Sequence, residues 1–224
     1  ARRSMPALVR HFSSSPRAQQ PRWSRPPVAD TLAALMLAGS WTERPEDLQI
    51  ISDLTATSPD DLRRAITDAS QGPDPAIRNV REVSVLSSLE EAFLELGSRV
   101  SSPLASRWAE IATKVLMEPN PYEGLNSHER IAAQLKGHRP PYSSALRNGI
   151  AKSIALAAAI EPPADWTDHA STAARRVVDS VLHSVIAGSE GCTWETIADV
   201  LPLLAEAAPD TFLSALEDDL ASSE

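Results

Sequence analysis

The side chains in this sequence that could take part in chemistry form two small groups. Asp165, Asp168 and His169 stand together at an expected helix start, where they could bind a metal ion or exchange protons. Carboxylates at that position also complement the helix dipole, and we predict this capping role. Cys192 and His183 flank a glycine-rich turn, but a cysteine nucleophile needs a third group to orient its base, and none is evident. We therefore predict that Cys192 is a small residue near a helix start.

Sequence motifs for nucleotide, acyl-transfer and zinc chemistry are missing. No glycine is followed by lysine, which a phosphate-binding loop requires, and there is no G-x-S-x-G sequence. His128 and Glu129 are not followed by the second histidine of a zinc-binding helix. We predict a chain with no catalytic residue, no cofactor and no metal ion. The alternative is an unrecognised helical enzyme, which a deep pocket with convergent titratable groups would indicate.

Charge is distributed unevenly along the 224 residues. The net charge of −9 argues against a nucleic-acid-binding role for the whole chain. The first acidic residue, Asp30, is preceded by six arginines, which are Arg2, Arg3, Arg10, Arg17, Arg22 and Arg25. Because Lys and Arg total 21, the rest of the chain holds 15 basic residues against 30 acidic ones. Such an acidic body could hold its basic leader by electrostatic attraction.

The composition predicts a soluble, mostly helical protein of a reducing compartment. Ala and Leu dominate the 42% of hydrophobic residues, and the 4% of aromatics favours close-packed helices over a β-sandwich. Cys192 is the only cysteine, so no intrachain disulfide can form. The longest apolar run, 150–160, is shorter than the roughly 18 residues that span a bilayer. Arginine far outnumbers lysine, which is typical of a GC-rich bacterial coding sequence. With the single cysteine and the short apolar runs, this predicts a cytoplasmic bacterial protein without membrane contact.

Residues 1–27 are predicted to be an Arg-, Pro- and Ser-rich connector. Their prolines prevent a long helix, although a short helix from Met5 to Phe12 fits the pattern. The string LVRHFSSSPRAQ is also typical of a mitochondrial transit peptide, because it is rich in Arg and Ser and contains no acid. Trp23 and the prolines around it favour a connector that lies against a folded body.

Three short helices followed by a β-hairpin are predicted for residues 28–98. Gly39 suits the position after the first helix, and the second begins near Pro45. The third begins at Pro59, which follows a Thr or Ser cap. Alternating apolar residues indicate the hairpin: Ile77, Val80, Val83 and Val85. This succession is the layout of a winged-helix domain.

The remainder, 99–224, is predicted to be a solenoid-like array of antiparallel helices. Pro, Gly or Asn marks most junctions, and the short connections imply antiparallel neighbours. Including the last helix before the array, the predicted helices cover about 88–97, 103–118, 127–137, 143–160, 168–187, 193–207 and 209–221. No strict repeat period identifies a named repeat class.

Two arginines on the third helix are the strongest candidates for nucleic-acid contact. In a DNA-binding winged helix, the element that carries Arg63 and Arg64 would enter the major groove. Three aspartates share this helix and would be repelled by phosphate, so we predict a protein-packing role and keep DNA contact as the alternative. The leader adds two further candidates, Arg22 and Arg25.

The final helix carries an apolar stripe on an acidic background. Leu213, Leu216 and Leu220 share one face, while Glu217, Asp218 and Asp219 make the helix acidic. An uncovered stripe of this kind at the end of a helical array predicts a further layer, supplied by a continuation of the chain.

Several strings resemble segments of large bacterial STAND-type NTPases, some of which act in antiviral defence. They include ARRSMPALVR, PRWSRPP, LAALMLAGSW, VREVSVLSSLEEAF, SSALRNGIAKSIALAA and WETIADVLPLLAEAAPDTFLSALEDDL. The resemblance covers nearly the whole chain and lies in helical patterning rather than catalytic motifs. It implies a region downstream of the nucleotide site, where a winged helix precedes a helical sensor array. At the expected hairpin this chain has Val83 and Val85, where such proteins often carry a Trp.

Together these features predict a non-enzymatic scaffold or sensor segment of a larger multidomain NTPase. Its expected partners are neighbouring domains of the same protein and a protein trigger. The alternative is a winged-helix DNA-binding regulator that uses its third helix and its basic leader.

Overall fold

The computed structural model describes residues 21–26, 28–160, 168–188 and 192–222. The predicted short helix from Met5 to Phe12, most of the basic leader and Asp165 lie outside these residues. Within the described ranges the protein is mostly helical, with eleven α-helices and one three-stranded antiparallel sheet. The prediction of a mostly α-helical chain is therefore confirmed.

Between residues 21 and 96, the described part of the chain contains four α-helices and the whole sheet. In chain order the elements are α1 (Val28–Ala38), β1 (Ser40–Thr42), α2 (Pro45–Thr55), α3 (Pro59–Ala69), β2 (Ile77–Val80), β3 (Val83–Leu86) and α4 (Leu89–Leu96). Strand β3 lies in the centre of the sheet, between β1 and β2. The predicted helices and the β2–β3 hairpin are present, but β1 was missed because three residues carry too little periodicity to be recognised.

Local sequence signals set the helix ends in this part. Gly39 follows α1 with a left-handed backbone (φ 71°), as its predicted position requires. Ser58 caps α3 by accepting a hydrogen bond from the backbone N–H of Asp61 at 3.2 Å, and Pro59 occupies the first helical position.

The described residues after 96 add seven α-helices. They are α5 (Ser102–Leu116), α6 (Ser127–Leu135), α7 (Ser144–Ala159), α8 (His169–Ile186), α9 (Trp194–Ile197), α10 (Leu201–Ala207) and α11 (Pro209–Ser222). The prediction of one helix over 193–207 is wrong, because α9 ends at Ile197 and a turn separates it from α10. The cause is Pro202, whose ring would clash with the carbonyl of residue 198 in a continuous helix and which offers no N–H to it.

One continuous apolar core extends through both predicted domains. Helix α7 lies at its centre and packs against α1, β1, α8 and α10. Helix α5 packs against α8 and also against α2. The sheet-containing part and the later helices are therefore fastened together by buried surface rather than by a linker alone.

Two side chains satisfy the backbone at the C-terminal end of α1. The last carbonyls of a helix have no partner within the helix. The Ser153 hydroxyl of α7 donates to the Met36 carbonyl oxygen at 2.9 Å, and the Trp108 indole N–H of α5 donates to the Leu37 carbonyl oxygen at 2.9 Å. Both bonds are buried, so they hold α7 and α5 in register with α1.

Helix α7 also passes very close to the chain that connects α1 to β1. A Cβ atom added to Gly149 would lie in hard contact with the Ala38 carbonyl oxygen and the Ser40 backbone nitrogen. A Cβ atom added to Gly39 would lie 2.6 Å from the Gly149 carbonyl oxygen. The crossing therefore depends on a glycine on each side, which is the usual way that two backbones approach closely.

The buried carboxylate of Asp47 closes the same junction. Its oxygens accept hydrogen bonds from the backbone N–H and hydroxyl of Thr42, at 2.9 and 2.7 Å, next to β1. They also accept from the backbone N–H and hydroxyl of Ser143, at 3.0 and 2.5 Å. Ser143 in turn caps α7 through the backbone N–H of Leu146. We call the contacts of Asp47, Ser143, Gly149 and Ser153 the α7 joint.

Candidate interaction surfaces

Helix α3 presents a mixed-charge surface to solvent. The Arg63 and Arg64 side chains are 64% and 76% exposed. Each is ion-paired to an aspartate three residues earlier, with N–O distances of 3.0 Å to Asp60 and 2.8 Å to Asp61. Since exposed pairs of this kind contribute little to stability, the arginines remain able to exchange partners. With exposed Asp68 included, acids outnumber bases on this helix.

The β2–β3 hairpin forms a second exposed element beside α3 in the chain. Arg78, Arg81 and Glu82 are exposed, and Val80 is 58% exposed near the turn. Arg81 adopts a left-handed backbone (φ 59°), which a residue with a long side chain rarely does. The hairpin was predicted from its alternating valines, but its basic residues were not recognised as a possible surface.

The two described leader arginines lie on a separate element. Arg22 belongs to a short 3-10 turn that packs on α1 through the largely buried Trp23. Arg22 and Arg25 are themselves exposed. The predicted placement of Trp23 against a folded body agrees with this packing. The four arginines proposed for nucleic-acid contact therefore lie in two separate parts of the structure. Arg63 and Arg64 are on α3, which packs mainly on α2 and α1, and Arg22 and Arg25 are in the leader.

Helix α11 exposes the leucines predicted to form an apolar stripe. Leu213 and Leu220 are 56% and 69% exposed, and Leu216 is partly buried. The helix is anchored beside this stripe, where the rings of Phe212 and Trp194 meet edge to face with centroids 6.4 Å apart. We call Leu213, Leu216 and Leu220 the α11 leucine face.

Helix α6 carries a smaller apolar surface that sequence reasoning missed. Ile131 is 56% exposed and Leu135 is 84% exposed, one turn apart on the same side of the helix. The i, i+4 spacing of these two residues in an otherwise polar segment was the available signal. The segment is tied to the body by the ion pair of Arg130 with Glu195 at 2.7 Å.

The other residues considered for chemistry do not form a catalytic arrangement within the described ranges. Asp168 occupies the N-cap position of α8, but its side chain does not make the capping hydrogen bond that the predicted role requires. Cys192 is fully buried, and this burial raises the pKa of its thiol, whereas His183 is exposed. Among the described residues, no group of three or more His, Cys, Asp or Glu side chains is arranged to hold a metal ion.

The chain matches no protein-family model, no curated protein and no solved structure. Within the part of the chain that the structure describes, none of the helices combines the length and the apolar character needed to cross a membrane.

Proposed function

We propose that this chain is a non-catalytic scaffold and sensor segment of a larger multidomain protein, as its resemblance to STAND-type NTPases implies. In this proposal residues 28–98 are a winged-helix unit and the later helices are an array that contacts neighbouring domains. Its partners are other regions of the same longer protein and a protein trigger.

The element order supports the winged-helix part of this proposal. Helix, strand, two helices and a hairpin follow one another from α1 to β3, with the first strand paired to the last. Helix α3 takes the place of a recognition helix in this arrangement. Its mixed charge, with Arg63 and Arg64 each held by an aspartate, suits a protein surface better than a run of phosphates.

The exposure of the α11 leucine face is the observation that carries the proposal. The helices of the later part are covered in succession: α8 packs on α5 and α7, and α11 packs on α8 and α10. Two leucines of α11 nevertheless remain more than half exposed. Leu216 lies between them and is partly buried, so the three leucines form one contiguous apolar stripe, and contiguous apolar patches on protein surfaces often mark interaction sites.

In this proposal the α11 leucine face is covered by an amphipathic helix from elsewhere in the same longer protein. It should carry its own apolar stripe, because the face is a helix surface of matching width. It should also carry basic residues beside that stripe, because α11 contains acidic residues and no lysine or arginine.

The test begins with the natural reading frame that contains this segment. A frame that encodes little beyond these residues would overturn the proposal. If the frame is longer, amide hydrogen exchange of 209–222 is compared between this chain and the longer protein. We expect at least about tenfold slower exchange in the longer protein, because a covered helix opens less often.

Matched variants show whether the leucines cause this protection. In the longer protein, the double variant Leu213→Glu with Leu220→Glu should restore rapid exchange of 209–222. Ser214→Glu adds charge to an exposed position of the same helix outside the stripe, and it should leave the protection intact. Equal exchange in the chain and the longer protein would show that the face is not covered.

The second candidate is a winged-helix DNA-binding regulator, which the exposure of Arg63 and Arg64 on α3 and of Arg78 and Arg81 on the hairpin favours. A duplex DNA titrated at low salt should then bind, and the affinity should fall as salt rises. Reversing both charges with Arg63→Glu and Arg64→Glu should abolish binding. No binding at low salt would reject this candidate.

A further inference from the structure

A cavity of about 340 Å³ lies where the end of α5, the start of α7 and helix α9 meet. Its size falls within the range of small-molecule sites. Its walls include Glu118, Asn120 and Tyr142, which come from the chain between α5 and α7. They also include Glu195 of α9 and Asp199 of the turn that follows α9. None of these residues belongs to the surfaces described above.

Tyr142 supplies a polar group without a protein partner. The residue is only 8% exposed and it lines the cavity, yet its hydroxyl makes no hydrogen bond to any residue that the structure describes. The hydroxyl itself is accessible rather than sealed in the core, since the buried side-chain atoms without a partner belong to other residues. The donor and acceptor of Tyr142 are therefore available to a polar group of a ligand in the cavity.

The cavity has two arginines, each ion-paired to a carboxylate, and the buried one has no hydrogen-bond donor left. Arg147 is 8% exposed and binds the Asp199 carboxylate through Nε and Nη2, at 3.3 and 3.1 Å. Its remaining N–H groups donate to three backbone carbonyl oxygens, those of Val115, Leu116 and Thr196. Arg130 donates to the Glu195 carboxylate at 2.7 Å. Because all five N–H donors of Arg147 are occupied, it has none left for an anionic ligand.

Glu118 leaves the cavity with an excess of negative charge. It is partly buried, and it forms neither an ion pair nor a side-chain hydrogen bond with the described residues. The other two carboxylates, Glu195 and Asp199, are each matched by an arginine. A cation beside Glu118 would supply the missing opposite charge.

We propose that this cavity binds a small organic cation that carries a primary ammonium group. Glu118 is its counter-ion, and the Tyr142 hydroxyl accepts a hydrogen bond from it. Pro119 and Pro140, which also line the cavity, contact the apolar body of the ligand. The proposal concerns ligand binding only and does not depend on the scaffold role proposed above.

The test uses three probes of equal chain length and different charge: 1,5-diaminopentane, the neutral 1,5-pentanediol and the anionic glutarate. Binding to the whole chain is measured by isothermal titration calorimetry at neutral pH. We expect saturable binding of the diamine alone, with a dissociation constant on the order of 1 mM or lower. Absence of saturable diamine binding, or equal binding of the diol or glutarate, would overturn the proposal.

Variants then locate the site. Glu118→Gln keeps the shape of the side chain and removes its charge, so it should weaken diamine binding at least about tenfold. Tyr142→Phe should weaken it by a smaller factor, about threefold to tenfold. Glu110→Gln removes a charge from an exposed position two turns earlier on α5, outside this cavity, and should change binding less than about twofold.

Two results would place the cation elsewhere. Equal weakening by Glu110→Gln and Glu118→Gln would indicate general attraction to an acidic protein. Unchanged affinity in both Glu118→Gln and Tyr142→Phe would also exclude this cavity. Thermal unfolding of each variant without ligand shows whether it is folded. If Glu118→Gln is unfolded, the binding measured for Tyr142→Phe decides whether this cavity is the site.

Discussion

Helices α7 and α11 are similar in length and lie in opposite environments. They are Ser144–Ala159 and Pro209–Ser222, each about four turns long; α7 is rich in Ala and contains no acidic residue, whereas α11 contains Leu213, Leu216 and Leu220 among four acidic residues. In α7 nine residues are buried, among them a glycine, an arginine and a serine. In α11 only Ala215 is buried, and Leu213 and Leu220 face solvent. Apolar content favours α7 as the buried helix, but it does not decide which neighbours α7 meets.

The difference lies in small and polar residues that fit a particular neighbour. At the α7 joint, Gly149 allows backbone contact, Ser153 satisfies a helix-end carbonyl, and Ser143 shares the buried Asp47 carboxylate. These groups are useful only when the opposite surface is in place. Among the residues that the structure describes, the α11 leucine face has no such partner, and it offers a surface that many amphipathic helices could cover. We infer that α7 is a permanent junction and that α11 is a surface for association.

The largest expected effect tests the polar part of the α7 joint. Asp47→Ala removes an acceptor of four hydrogen bonds and leaves buried donors on Thr42 and Ser143 without partners. We expect a loss of about 4 kcal/mol in the free energy of unfolding, measured by urea denaturation. Asp53→Ala removes an exposed aspartate from the same helix and should change stability by less than about 0.5 kcal/mol. Similar losses in the two variants would contradict the assigned role of Asp47.

The same substitution in the two helices gives the most direct comparison. Leu146 of α7 is 0% exposed and Leu220 of α11 is 69% exposed. Leu146→Ala should cost about 3 kcal/mol, because it removes buried methyl groups and leaves a cavity. Leu220→Ala should change the stability of this chain by less than about 0.5 kcal/mol. If both variants lost stability equally in urea denaturation, the leucine face would already be covered in this chain.

Replacing Gly149 by alanine should change the free energy of unfolding in the opposite direction from the one that helix propensity predicts. In an exposed helix interior, Gly to Ala stabilises by about 1 kcal/mol. Gly149→Ala should instead lower the free energy of unfolding by about 2 kcal/mol, because the new Cβ meets the backbone of Ala38 and Ser40. Lys152→Ala, at an exposed position of the same helix, serves as the control and should be nearly neutral. A gain in stability on Gly149→Ala would show that the helices do not cross so closely.

The smallest expected effect concerns the pH dependence contributed by Cys192. Burial raises the pKa of this thiol in the folded protein, so the folded state retains the proton at pH values where the unfolded state loses it. The associated stabilisation is complete below the unfolded thiol pKa of about 8.5 and is lost as pH rises from there through the higher folded pKa. The loss of stability between neutral and alkaline pH should therefore be smaller in Cys192→Ala. An unchanged decline would mean that the thiol does not contribute to it.

Local signals predicted most of the secondary structure because capping and proline effects act within one turn. Ser58 with Pro59 marked the start of α3, and Gly39 marked the end of α1. The same local reasoning failed at Pro202, where an apolar pattern hid a break between α9 and α10. It also identified the leucines of α11 as one face, since side-chain spacing alone defines the face of a helix.

The candidate cavity could not be predicted in this way. Tyr142 and Glu118 stand on different elements, and the arginines beside them have ordinary sequence surroundings. Only the folded structure shows that the N–H groups of Arg147 donate to Asp199 and to backbone carbonyl oxygens. Among the described residues, Glu118 is therefore left without a positive charge paired to it. Hydrogen-bond saturation is a property of the assembled neighbourhood rather than of a residue type.

By itself the sequence determined the helical class, most helix ends, the hairpin and the amphipathic face of α11, because each depends on residues within one or two turns of each other. The tertiary structure decided which faces meet. Asp47 and Ser143 are 96 residues apart, yet they share one buried network, and Gly39 meets Gly149 across a crossing that neither local sequence encodes. Hydrophobic periodicity shows that a face must be buried, but the partner is selected by the shape and hydrogen bonding of the whole packed core.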